Sequence, residues 1–113
     1  MESVFEATVT RTDEGSVVVM SGTVNRAAKQ DLETAYEEAA ANPGRVLMDF
    51  RGVDYINSTG IAVIVGVLAM ARAEDREVGA FGLTDHYREV FSITRLSDFM
   101  TIYDDETAAV AAG

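Results

Sequence analysis

Three consecutive polar side chains, Asn57, Ser58 and Thr59, stand before Gly60 and the apolar run Ile61-Ala-Val-Ile-Val. Two chemistries suit that arrangement. Asn, Ser and Thr side-chain oxygens accept bonds from the free N–H groups of a helix start, each contributing about 1 kcal/mol. A hydroxyl in the same place is also a phosphate acceptor, because a phosphate there meets those N–H groups and the positive end of the helix dipole. The two roles are compatible, and the residues alone leave both open.

Hydrolysis through Ser58 is a poor fit. A nucleophilic serine needs a base to take its proton and an acid to orient that base. The chain has one histidine, His86, between Asp85 and Tyr87, and Ser58 is not in a Gly-x-Ser-x-Gly elbow. His86 reads as an exposed residue in the first turn of a helix. One histidine, no cysteine and no acidic cluster at ligand spacing also leave no selective metal site and imply no cofactor. Asp13-Glu14 reads as a solvated turn and Asp104-Asp105-Glu106 as a capped helix start. Tyr36, Tyr55 and Tyr87 read as packing residues with polar tips.

Composition narrows the class further. At 113 residues, with 48% hydrophobic and 25% charged residues, the chain suits one domain spanning 1–113 with a real core. Nineteen acidic residues against nine basic ones give a formal charge of -10. That balance argues against binding nucleic acid, whose phosphates are held by clustered Lys and Arg, and suits steering of a basic protein partner. The first residues show no signal-peptide pattern. The longest apolar run, 61–71, is too short to span a bilayer. A soluble cytoplasmic protein with no membrane partner is the expectation.

The elements that must position the polar block follow from periodicity. Residues 5–11 alternate as a half-buried strand, a polar turn follows, and 17–20 supply its hairpin partner. Residues 27–41 place Leu32, Ala35, Tyr36 and Ala39 at helical spacing, ended by Pro43-Gly44. The run 45–50 suits a buried interior strand, with a turn predicted at Arg51-Gly52. Residues 59–72 read as a helix whose Gly60, Ala62, Gly66 and Ala69 would let it approach a sheet closely. A strand over 78–83, a short helix capped by Asp85 with Tyr87, Val90 and Phe91 on one face, a strand over 96–103 and a helix after Asp105 complete the chain. The order β-β-α-β-α-β-α-β-α predicts an α/β fold: a mixed, mostly parallel sheet with an N-terminal hairpin and packed helices.

This order and several local blocks resemble the STAS domain of bacterial anti-sigma factor antagonists. Gly22-Thr-Val-Asn25 stands where that family has a Gly-x-hydrophobic-Asp approach to its first helix. Val46-Leu-Met-Asp49-Phe-Arg-Gly52-Val matches its strand and Gly-Val step, and Ile56-Asn-Ser-Thr-Gly60-Ile-Ala-Val its Asp-Ser-Ser/Thr-Gly-Leu-x-Val block. Val90-Phe-Ser-Ile-Thr-Arg-Leu96 and Phe99-Met-Thr-Ile102 resemble its late leucine-rich block. Together, in order, the blocks cover nearly the whole chain.

The resemblance implies a non-enzymatic regulator of bacterial transcription. Its unmodified form binds an anti-sigma factor that is also a serine kinase of the histidine-kinase-type ATPase fold. Phosphorylation breaks that complex, and a serine phosphatase reverses it. Ser58 occupies the phospho-acceptor position, with Thr59 the second choice, and Asn25, Asn57, Ser58, Thr59 and Gly60 form the implied partner surface. Asn25 and Asn57 replace two family acids, keeping hydrogen-bonding capacity while removing charge. The alternative is a non-switching STAS scaffold or small-ligand module in a signalling or transport complex. Asn25, Asn57, Ser58 and Thr59 are expected together at one end of the sheet, where loops after parallel strands gather.

Overall fold

In a computed structural model, which describes residues 3–112, β1 (Glu6–Thr12) and β2 (Gly15–Val24) form the expected antiparallel hairpin. Its turn carries the exposed Asp13 and Glu14. β3 (Arg45–Ile56), β4 (Val78–Phe81) and β5 (Thr101–Ile102) then add in parallel, in the order β1-β2-β3-β4-β5. Between and after the parallel strands come α1 (Lys29–Ala40), α2 (Ser58–Ala73), α3 (Asp85–Ile93) and α4 (Glu106–Ala111). None of the described helices is long and apolar enough to cross a membrane.

Strand alternation assigns the two layers. Val18, Met20, Val46, Met48 and Phe50 face one side, where Leu32 and Tyr36 of α1 and Ile64, Val67 and Leu68 of α2 pack on them. Phe91 of α3 meets Phe50 edge-on at 5.6 Å. Val17, Leu47 and Phe81 face the other side and are covered by Ala109 of α4. Because both faces of β3 are covered, its first half reads as an unbroken apolar run rather than an alternating one.

Polar staples hold α1 in place. The buried Tyr36 hydroxyl donates to Glu74 at 2.7 Å, and burial, then this bond, push the phenol above its ordinary range. Arg76 donates to the carbonyls of Ala40, Asn42 and Gly44, which satisfies acceptors left over where α1 ends. Both contacts tie the far end of α1 to the segment that ends α2.

Four expectations change. Arg51-Gly52 is no turn: β3 runs on to Ile56 because Ser21 to Val24 of β2 continue to pair with it. Register shifts beside Val19 and Gly22 absorb the extra β3 residues, so the glycine marks a bulge. A Cβ on Gly52 would lie 2.8 Å from the Met20 carbonyl oxygen. The strand predicted over 96–103 shrinks to β5, preceded by Arg95 in the left-handed region and a 3-10 turn at Leu96–Asp98. Leu96 and Met100 are buried while Asp98 midway between them is exposed, which suits a helical turn rather than a strand, where all three would share one face. Thr84, not Asp85, caps α3, its side chain accepting from Tyr87 N–H. Tyr55 is exposed rather than packed.

Candidate functional site

The site begins where β2 and β3 end side by side. β2 runs out at Val24, and Asn25 follows with its side-chain oxygen accepting from Ala27 N–H at 2.9 Å, capping a 3-10 turn (Arg26–Ala28). β3 runs out at Ile56, and Asn57 caps α2, its Oδ1 accepting from Gly60 N–H at 2.9 Å. The Asn57 N–H donates to the Val24 carbonyl at 3.3 Å, so the two asparagine turns sit against one another.

Thr59 fastens them together. Its hydroxyl donates to Asn57 Oδ1 at 2.7 Å and accepts from Arg26 N–H at 3.0 Å. The Tyr87 hydroxyl braces the same end from α3, accepting from Ile56 N–H at 2.9 Å. Asn25, Asn57, Ser58 and Thr59 therefore gather at the carboxyl end of the parallel strands.

Gly60 belongs to the packing rather than to the surface. It is buried, and a Cβ on it would overlap the Val24 carbonyl, 2.6 Å from the carbonyl carbon. Of the four small residues expected to permit close approach, Gly60 alone does so. Gly66 has nothing within 4 Å of a built Cβ, and Ala62 and Ala69 are exposed.

Ser58 is the exception among these polar groups. It is exposed at the first position of α2, and its hydroxyl makes no hydrogen bond among the described residues. The Ser58 and Thr59 N–H groups, in the first helical turn, have no intrahelical acceptor. Along α2 the same face continues through Ala62, Val65 and Ala69, all exposed and apolar. A free hydroxyl thus stands at the head of a smooth, small-residue stripe.

Enclosed chemistry has little support here. The cleft lined by Ile56, Leu83, Thr84 and Tyr87 has a volume of about 40 Å³, room for little more than a water molecule. His86 is exposed and edge-on to Tyr87 at 4.9 Å, without a hydrogen bond to Ser58. Among the described residues no group of three His, Cys, Asp or Glu is arranged to hold a metal.

The Asn57 side chain makes its two bonds as an acceptor only, and α2 has no acid in its first turn. Asn57→Asp keeps both bonds and places a negative charge at the helix start. It should raise stability at pH 7 by about 0.3–1 kcal/mol, a gain that disappears as the carboxylate protonates in acid. Thermal melts at pH 7 and pH 3 check this; a lower melting temperature for the variant at pH 7 counts against the capping geometry.

A five-stranded mixed sheet with an N-terminal hairpin, and a capped Ser-Thr-Gly turn opening the second long helix, define the STAS class. The family model described as "Mlab, STAS domain" matches residues 7–102, and the chain belongs to the STAS-domain anti-sigma factor antagonist family. It is 32% identical over 90 residues to the anti-sigma-B factor antagonist of Listeria monocytogenes, covering 79% of each chain. Among solved structures it resembles an anti-sigma factor antagonist from Mycobacterium paratuberculosis, with a TM-score of 0.79 at 21% identity over 96% of this chain and 93% of that one. The Bacillus cell fate determinant SpoIIAA in its phosphorylated form superposes with a TM-score of 0.68 at 17% identity, over 97% of this chain and 100% of that one.

Two features of the site were not legible in the sequence. Asn-Ser-Thr does not say which hydroxyl is tied, and only the neighbouring turn after β2 reveals that Thr59 is. Nor does a tyrosine in the third helix announce that it accepts from the end of β3.

Proposed function

We propose that this chain is an anti-sigma factor antagonist whose unmodified form binds an anti-sigma factor that is also a serine kinase, and that phosphorylation of Ser58 ends the binding. The observation that carries the reading is the division of labour between neighbouring hydroxyls. Ser58 is exposed and unbonded, free to enter a kinase site, whereas Thr59 spends its hydroxyl on Asn57 and the Arg26 amide. In the transfer, Ser58 Oγ attacks the γ-phosphorus of ATP, ADP leaves, and the hydroxyl proton passes to a base on the kinase. A serine phosphatase would restore the hydroxyl.

The physical basis of the switch is local. Phosphate adds about -1.5 to -2 charge beside the exposed stripe of α2 without requiring the fold to change. A partner surface fitted to a neutral hydroxyl and small side chains then faces bulk and charge that it must desolvate. The many exposed acids steer a basic partner towards the domain before this local contact decides the outcome.

Asn25 and Asn57, standing where the family has acids, favour a second reading in which the domain is a non-switching scaffold. Incubating the protein and Ser58→Ala with the cognate kinase and ATP separates the two, with phosphate mapped by mass spectrometry. The switch reading expects one phosphate, on Ser58, and none on the variant. Modification elsewhere, or none on the unaltered protein, moves the scaffold into first place.

A further inference from the structure

We propose that Arg26 is the counter-ion of the phosphorylated state, its guanidinium closing onto the phosphate of Ser58 within the same chain. The proposal rests on the reading of Ser58 as the acceptor.

With nineteen acids for nine bases, a basic side chain on this surface has abundant partners. Lys29, Arg45, Arg51, Arg88 and Arg95 pair with carboxylates, Arg76 holds carbonyls and Arg72 lies over the Phe99 ring. Among the described residues only Arg11 and Arg26 present a cation with no such group against it. Arg11 pairs with Ser16 in the hairpin, at the opposite end of the sheet. Arg26 is exposed, and its own N–H is bonded to the residue that follows Ser58.

Geometry then supplies the reach. The 3.0 Å bond from Arg26 N–H to Thr59 Oγ1 fixes the two backbones against each other. One further step of about 3.8 Å between Cα atoms brings the Arg26 and Ser58 backbones within about 10 Å. An arginine and a phosphoserine side chain together span that gap. Thr59, Asn57 and Asn25 hold both turns in place, so the pairing needs side-chain rotation only. Arginine also suits the ligand, since its planar fork matches two phosphate oxygens at once. In the unmodified protein the exposed Arg26 guanidinium has water around it and no carboxylate against it among the described residues; the phosphate is the anion it is placed to meet.

The test avoids the kinase. Phosphoserine is placed at position 58 by genetic encoding in the otherwise unaltered protein and in Arg26→Ala, Arg26→Gln and Arg26→Lys. The second ionisation of the phosphate is then followed by phosphorus NMR. Lys29, paired with Glu33, and the exposed Asp54 and Asp85 at the same end of the sheet are common to all four proteins, so their influence cancels in the comparison. With Arg26 present the midpoint should lie at least about half a unit lower than in the Ala and Gln variants, about a threefold change in proton affinity, and Lys should recover part of it. Equal midpoints in proteins that circular dichroism shows to be folded overturn the proposal. Equal midpoints together with weaker binding of unmodified Arg26→Ala to the anti-sigma factor would instead assign the guanidinium to a partner's anion. Failure of the kinase to modify Ser58 defeats the functional reading but leaves this titration intact, so the two outcomes stay distinct.

Discussion

Ser58→Glu is expected to fold as the unaltered protein does and to bind the anti-sigma factor more than a hundredfold more weakly, while Ser58→Ala keeps its affinity. The fold should tolerate both changes because the Ser58 hydroxyl contributes no bond to it; capping is the work of Asn57. A glutamate in the first turn even gains from the helix dipole, by about 0.3–1 kcal/mol. Binding is another matter. A partner that packs on the stripe of Ala62, Val65 and Ala69 brings its surface close to residue 58. A carboxylate trapped there loses hydration that one flexible, exposed guanidinium, Arg26, replaces only in part. A loss of about 3 kcal/mol already lowers affinity by more than a hundredfold. Titration calorimetry on both variants, with melts to confirm folding, decides it. Equal affinities of folded Ser58→Ala and Ser58→Glu would mean that residue 58 lies outside the interface, and the switch reading would fall.

The parts of this architecture that were legible in the sequence are those governed by local rules. The hairpin, α1 with Leu32, Ala35, Tyr36 and Ala39 buried, the interior position of β3 and the Asp105 cap all follow from periodicity, turn residues and caps. Expectation and structure part where a distant strand sets the outcome. Arg51-Gly52 has turn composition, yet β2 is long enough to keep pairing past it, and the glycine serves a bulge. Residues 96–100 look apolar enough for a strand, but Leu96 and Met100 are drawn into the helical layer and leave β5 only two residues. The site divides the same way. The capping role of Asn57 is a local property, whereas the choice between the Ser58 and Thr59 hydroxyls depends on an amide thirty-three residues away.

Gly60→Ala is expected to destabilise the domain by about 2–3 kcal/mol, the scale of overpacking in a tight core, and Gly66→Ala in the same helix to stabilise it. Intrinsic preference makes alanine better than glycine in a helix interior by about 0.8–1.0 kcal/mol, a gain that applies in full at Gly66 and only in part at Gly60 in the first turn. Packing separates them. At Gly66 an added Cβ meets nothing within 4 Å, so the helical gain survives. At Gly60 it overlaps the Val24 carbonyl, which is backbone at the end of a buried strand and cannot rotate aside. The helix must move outward, and the displacement strains the bonds from Asn57 N–H to Val24 and from Arg26 N–H to Thr59. For a domain of this size the loss should lower the melting temperature by roughly 10 °C, with Gly66→Ala moving a few degrees the other way. Because Thr59 joins the two asparagine turns, the damage should extend to function: Gly60→Ala protein held below its melting temperature should accept phosphate on Thr59 as well as Ser58 once that hydroxyl is released. Thermal melts of the two variants and phosphate mapping on Gly60→Ala provide the check. A Gly60→Ala domain as stable as Gly66→Ala would show that the contact with Val24 does not hold α2 against the end of β2.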